Sequence, residues 1–299
     1  MKVLAICGAT ASGKSALAIA CAKAFGGEVV SCDALLVYRR LNIGTAKPTI
    51  AEMDGVVHHM IDVVDPTDSY SVHDFQCAAI PVVEDILSRG KMPVLCGGTG
   101  FYMNAILFQS GFGHVAGDEL LRKKYEEIAC NQGKEALFKL LSERDPESAK
   151  ILHPNDVKRV IRALEIFDLT GEKKSSQQDT LTPRFAYEAF AFDWQRVELY
   201  ERIHRRTQAM LEAGLVDEVK GLLSSGVPET AQCMQGIGYK EVVEILKNDG
   251  LHSTMSDIIE KNTRHYAKRQ LTFLRKMPHL HWLTPQSQDS AIKEIERYL

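Results

Sequence analysis

Gly8-Ala9-Thr10-Ala11-Ser12-Gly13-Lys14-Ser15 constrains this chain more than any other stretch, because the spacing G-x-x-x-x-G-K-S has meaning only between a strand and a helix. Both are there. KVLAIC, residues 2–7, reads as a strand, and from Ser15 onward Leu17, Ala20, Cys21 and Ala24 share one helix face. A loop so placed predicts a phosphate cradle. Its glycines let backbone N–H groups close around an anion, and the helix N-terminus adds positive partial charge. Lys14 neutralises phosphate oxygens, and Ser15 is placed to hold magnesium. The bland alternative is a tight glycine turn, against which the flanking strand and helix both count.

The strand-like segments EVVS, MPVLC, FAYEAFAF and HLHWL alternate with helical patterns, first near residues 77–88 and later in four stretches ending near Arg275. Alternation of this kind predicts an α/β fold, a P-loop NTPase-like parallel sheet flanked by helices. Residues 113–170 are charged, helix-favouring and without strand candidates, and residues 171–184 form a polar exit, which together predict a small inserted helical domain. The expected organisation is a first part of the core at 1–112, a helical insertion at 113–185, and completion of the core at 186–299 with further C-terminal helices. A chain of 299 residues, 45% hydrophobic, has apolar surface enough for this arrangement.

Charge and composition exclude several classes. Thirty-six Lys and Arg against 39 Asp and Glu leave a net charge of -3, so no overall positive field advertises nucleic acid, although a local basic face stays open. No apolar run approaches the ~20 residues of a membrane span, and the opening KVLAIC is strand-like rather than leader-like. Seven cysteines without a C-x-x-C pair read as small buried thiols in a reducing cytoplasm, without zinc. His58 and His59, adjacent on a strand, would point to opposite faces and so make a poor metal pair.

MPVLC ends in Gly97-Gly98-Thr99-Gly100, where an ATPase would carry the acid that holds magnesium and positions water. Energy-coupled hydrolysis is therefore disfavoured. A carboxylate does stand one strand earlier: Asp33, at the carboxyl end of EVVS, would be aimed at the phosphate loop. General base, helix N-cap and magnesium ligand are all compatible with its spacing. Further on, a helix over residues 255–275 places Ile259, Tyr266, Phe273 and Leu274 opposite Lys261, Arg264, Lys268 and Arg275. Those four charges form a stripe ~20 Å long, matched to successive RNA phosphates. Lys158, Arg159 and Arg162 supply a second basic patch, and two patches flanking a phosphate site suggest a channel.

GATASGKS, DALLVYR, NIGTAKP (residues 42–48), HHMID (58–62) and GGTGFY (97–102) follow one another in this order. Later come HPNDVKRVIRALEIF, LYERIHRRTQAMLEAGLVDEV, QGIGYKE and KRQLTFLRK. Across nearly its whole length the chain thus resembles the bacterial tRNA isopentenyltransferase (dimethylallyltransferase) family. The resemblance implies transfer of a dimethylallyl group from dimethylallyl diphosphate to the exocyclic N6 amine of the adenosine 3′ of the anticodon, position 37, in tRNAs reading codons that begin with U. Magnesium is its cofactor, tRNA its macromolecular partner, and no obligate protein partner or membrane is implied. Asp33 would accept the amine proton, Thr99 would hydrogen-bond the bridging oxygen of the leaving diphosphate, and Thr10, Lys14 and Ser15 would stabilise its charge.

For tRNA the resemblance implies contacts from Asp33, Ala34, Leu35, Leu36 and Thr99, from Arg122, and from Lys158, Arg159, Val160, Ile161 and Arg162. It adds Gln235, Gly236, Ile237, Gly238, Tyr239 and Lys240, and then Lys268, Arg269, Gln270 and Arg275. A channel lets the target adenine be flipped out of the anticodon loop, since stacking hides its amine. The chain departs from the family at Ala9, where proline is common, at Ala34, where serine is usual, and at Leu36, where many members carry glutamine. Residues 111–118 also lack the family's proline-rich lead. Two other function classes fit parts of the chain: a P-loop small-molecule or nucleotide kinase, and an RNA-binding module that senses nucleotide.

Overall fold

The structure is a computed structural model, and it describes residues 2–109, 117–176, 181–247 and 254–299. The chain divides into two compact units, residues 1–108 with 183–299, and residues 109–182.

In the first unit, β1 (Val3–Cys7) runs into the phosphate loop and α1 (Lys14–Ala24), followed by β2 (Gly27–Ser31), a short α2 (Ile50–Met53) and β3 (His58–His59). Then come α3 (Val72–Ser88), β4 (Met92–Gly97) and α4 (Gly100–Leu107). Among the described residues these strands join a six-stranded sheet of order β3-β2-β4-β1, completed by two strands from the C-terminal part of the chain, and every pairing is parallel. VLAIC is buried at all five positions, as a central parallel strand covered on both faces must be. Alternation sorts it: Leu4 and Ile6 pack with Leu17 and Cys21 of α1 on one face, while Val3, Ala5 and Cys7 join Phe75 and Ile106 on the other. The helix expected near residues 77–88 begins earlier, at Val72, because Ser71 and Asp74 form a capping box; Pro81 lies inside it.

The second unit is helical: α5 (Glu119–Asn131), α6 (Lys134–Arg144), α7 (Pro146–Ile151) and α8 (Val157–Thr170) close around Tyr125, Leu137, Leu141, Val160 and Leu164. Most of the stretch 111–118, where the family's lead is missing, lies outside the described residues.

The chain then returns to the first unit with β5 (Tyr187–Phe192), beside β1, and continues through α9 (Arg196–Glu212), α10 (Leu215–Ser224), α11 (Tyr239–Lys247) and α12 (Met255–Leu274). It ends with β6 (Leu280–Leu283), paired to β5, and α13 (Gln288–Glu296). Among the described residues no helix is long and apolar enough to cross a membrane. The cysteines are free thiols, five buried as expected, but Cys77 and Cys130 are exposed.

Candidate active site

The phosphate loop leaves β1 and enters α1 through Gly13, whose φ of 91° suits glycine, while Ala11 takes a left-handed φ of 62°. Side chains from elsewhere hold it. Trp194 Nε1 donates to Ser12 O at 2.9 Å, Arg202 Nε donates to Ala11 O at 2.7 Å, and Gln270 Oε1 accepts from Thr10 N at 2.8 Å. Trp194 and Arg202 pin carbonyls, Gln270 takes Thr10 N, and Ser12 N donates to Ala9 O at 3.2 Å, which leaves the N–H groups toward the start of α1 to face an anion. No side chain caps α1 and no acid occupies its first turn, so its N-terminal N–H groups are also available.

Thr10, Lys14, Ser15, Asp33 and Thr99 line one cavity of about 380 Å³. Burial first, with Arg206 adding to it, lowers the Lys14 pKa from the ordinary lysine value, and Cys96 and Asp33 oppose the shift. Asp33 Oδ1 accepts from Leu35 N at 2.9 Å and Leu36 N at 3.4 Å, but residues 34–37 form a turn and not a helix, so the carboxylate steadies a turn and the helix N-cap reading is corrected. Both bonds land on one oxygen, which fixes the carboxylate and leaves Oδ2 for the cavity. Thr99 Oγ1 accepts from Ala34 N at 3.1 Å, which directs its own O–H elsewhere. Tyr266 hydrogen-bonds with Thr99 and Gln270, and burial, with Asp33 beside it, pushes its phenol up to about 12.

Ala34, Leu35, Leu36, Gln235, Gly236, Ile237, Gly238, Arg269 and Gln270 line this same cavity. Gly236 packs closely there: a Cβ would stand 2.5 Å from Leu35 Cδ1, so any side chain would have to displace Leu35. Gly8, Ala9, Ala11, Ser12 and Gly13 shape the loop without lining the cavity. Lys240, Lys268 and Arg275 are exposed outside it, and Lys158 and Arg159 are exposed on α8 of the helical unit. Arg122 and Arg162 both meet the buried carboxylate of Glu165.

Four of the residues expected to contact RNA are buried. Val160 and Ile161, at 0% and 4% exposure, belong to the core of the helical unit because they lie on the buried face of α8. Tyr239 is also buried; its hydroxyl donates to Glu218 Oε1 at 2.6 Å and its ring fills the space beside Gly44. Gln270 is buried between the phosphate loop and Gly98. None of the four presents its side chain to solvent.

Sequence reasoning missed the arginines of α9. Arg206 lines the 380 Å³ cavity and donates to Thr45 O at 3.0 Å; burial lowers its pKa while Asp33 opposes the shift. A second cavity of about 530 Å³ shares Lys14, Ser15 and Arg206 with the first and adds Arg202 and Arg205. The available signal was spacing: residues 202, 205 and 206 fall on one helix face. The role of NIGTAKP was missed as well. The backbone N–H groups of Asn42, Ile43 and Gly44 all donate to the Glu218 carboxylate, at 2.8, 2.8 and 3.1 Å, so the motif docks α10.

Among known proteins, a family model described as IPP transferase matches residues 36–277, and one described as isopentenyl transferase matches residues 1–65. A tRNA dimethylallyltransferase of Bacillus mycoides is 44% identical over all of this chain and 94% of its own length. The tRNA dimethylallyltransferase 1 of Trichlorobacter lovleyi is 44% identical over 97% of this chain and 96% of its own. Of solved structures, the full-length tRNA isopentenylpyrophosphate transferase of Bacillus halodurans superposes with a TM-score of 0.75 at 41% identity, covering 99% of this chain and 95% of that one. A eukaryotic dimethylallyltransferase acting on tRNA gives 0.85 at 29% identity, covering 99% and 77%.

Proposed function

This chain belongs to the IPP transferase family of tRNA dimethylallyltransferases, and from that membership and the cavity we propose how it moves a dimethylallyl group onto adenosine in tRNA. The acceptor is the N6 amine of the adenosine 3′ of the anticodon, position 37, in tRNAs reading codons that begin with U. One observation carries the assignment of roles: the phosphate-loop residues Thr10, Lys14 and Ser15, the carboxylate of Asp33 and the hydroxyl of Thr99 line one cavity.

The diphosphate of dimethylallyl diphosphate sits against the loop N–H groups, Lys14 and Arg206, and the flipped adenine enters beside Asp33. As the N6–C1 bond forms, the C1–O bond breaks and its electron pair leaves with the diphosphate. Asp33 Oδ2 takes the amine proton. Thr99, whose oxygen already accepts from Ala34 N, donates its O–H to the bridging oxygen. Ser15, whose hydroxyl is a hard oxygen, lines both cavities beside Lys14 and so fits magnesium held chiefly by diphosphate oxygens. Ser15 and the diphosphate oxygens would hold the ion, which supplies further neutralisation of the leaving charge. RNA lies along exposed Lys268, Arg269 and Arg275 in the first unit, and along Lys158 and Arg159 in the helical unit.

The test is direct. Protein, magnesium, dimethylallyl diphosphate and tRNA from cells lacking the modification are incubated, and the digested RNA is searched by mass spectrometry for N6-dimethylallyladenosine. Product from the wild type and none from Lys14→Ala is expected. Folded wild-type protein that makes no product, or that consumes ATP on a small acceptor, would overturn the reading. The relatives are transferases, so nothing among them favours the kinase alternative.

A further inference from the structure

Gln270 lies on α12 between exposed Arg269 and the partly covered Leu271, yet its side chain is 6% exposed and both ends of its amide are committed inward. Oε1 accepts from Thr10 N at 2.8 Å, and Nε2 donates to Gly98 O at 2.9 Å. A Cβ on Gly98 would stand 2.1 Å from Nε2, so the glycine there makes room for this amide. The two ends of the amide do different jobs, one accepting and one donating, which neither a carboxylate nor a thioether of similar length can do. Its partners belong to the loops that carry Thr10 and Thr99 into the cavity.

We propose that Gln270 is a positioning residue for the diphosphate site: acting through the backbone of Thr10, it holds the phosphate loop in register with the 97–100 turn and so sets where the Thr10 hydroxyl points. Because Thr10 N is committed to Gln270, Thr10 meets the leaving group through its hydroxyl rather than its N–H. The proposal rests on residues 8–15 being the diphosphate site. It gives a residue on the RNA-binding helix a part in the other substrate's binding.

Gln270→Met removes the bonds to Thr10 N and Gly98 O, and the one to Tyr266 as well, while keeping the length of the side chain. Gln270→Glu, a second variant of nearly equal volume, keeps the acceptor and sets an oxygen against Gly98 O. Each is expected to raise the KM for dimethylallyl diphosphate about ten-fold or more, with the tRNA Kd within about two-fold of wild type. Combined with Thr10→Ala, Gln270→Met is expected to add less than about two-fold to the loss from Thr10→Ala alone, because residues acting as a unit are not additive. Weakened tRNA binding with an unchanged diphosphate KM would overturn the proposal, as would losses that multiply in the double variant. Binding of inorganic diphosphate to Lys14→Ala is the control for the underlying site. Lys14→Ala impaired and Gln270→Met unimpaired would sink only the role of Gln270; Lys14→Ala binding like wild type would sink both.

Discussion

In the sheet-containing unit, Trp194, Arg202 and Gln270 reach across from the segment between β5 and α9, from α9 and from α12 to hold single backbone atoms of the phosphate loop. In the helical unit, Glu165 of α8 instead gathers Arg122, Arg162 and the N–H of Asp118 onto a buried carboxylate. The first arrangement commits side chains to fixing an open space, so that polar groups are ordered before substrate arrives. The second commits them to the unit's own packing, and its arginines are already partly neutralised. The contrast teaches that basic residues of one sequence serve different ends: those of α9 shape a site, while Arg122 and Arg162 first hold a fold together.

The largest effect expected is at the cradle. Lys14→Ala should lower kcat/KM for dimethylallyl diphosphate by about 10²–10³, as loss of one preorganised donor does, while tRNA binding stays unchanged in a filter or fluorescence assay. The lowered pKa of Lys14 adds a pH signature: its charge is present below that value and is lost as pH rises through it. The kcat/KM should therefore fall on the alkaline side sooner than an ordinary lysine would dictate, and Lys14→Arg should move that limb upward.

In the helical unit the corresponding test is Glu165→Ala. Burial tends to raise this carboxyl, but Arg162 and Arg122 outweigh it and hold its pKa below the ordinary glutamate value. Its contribution is thus present at neutral pH and lost as pH falls through the lowered value. Removal should cost about 3 kcal/mol, seen as faster amide exchange in α5 and α8, and exchange in the sheet should not change. Equal loosening of both units would erase the contrast.

Arg206→Ala should raise the diphosphate KM by about ten-fold, the contribution of one charge-assisted contact; an effect on tRNA affinity alone would move Arg206 out of the site. Lys268→Ala should be the mildest, weakening tRNA a few-fold and reducing the salt slope by about 0.7–0.9, with diphosphate binding untouched.

The fold was legible because its signals are local. The phosphate loop announces both flanking elements, and VLAIC, MPVLC and YEAFAF are apolar runs of strand length. That Asp33 and Thr99 meet at one cavity was legible because both follow strands of a parallel sheet. What stayed hidden depends on distant contacts. Nothing near Glu218 says that it receives three N–H groups from residues 42–44, and nothing near Gln270 says that Thr10 N lies 2.8 Å away. Helical periodicity correctly set Ile259 and Leu274 inward, but Ile259 and Tyr266, on that same side, also line the cavity. The wheel separates buried from exposed and does not distinguish a core from a site.

The central claim is that Asp33 takes the proton, and its bonds to the following turn make asparagine the right substitution. In Asp33→Asn the side-chain amide would still offer its oxygen to Leu35 N and Leu36 N, but it would not be a base. The measurement is the single-turnover rate of dimethylallyl transfer to an anticodon stem-loop by wild type and Asp33→Asn, with stem-loop affinity determined alongside. A fall of about 10²–10⁴ in rate at unchanged affinity is expected; transfer by Asp33→Asn at the wild-type rate would reduce Asp33 to a turn-steadying residue and contradict the mechanism.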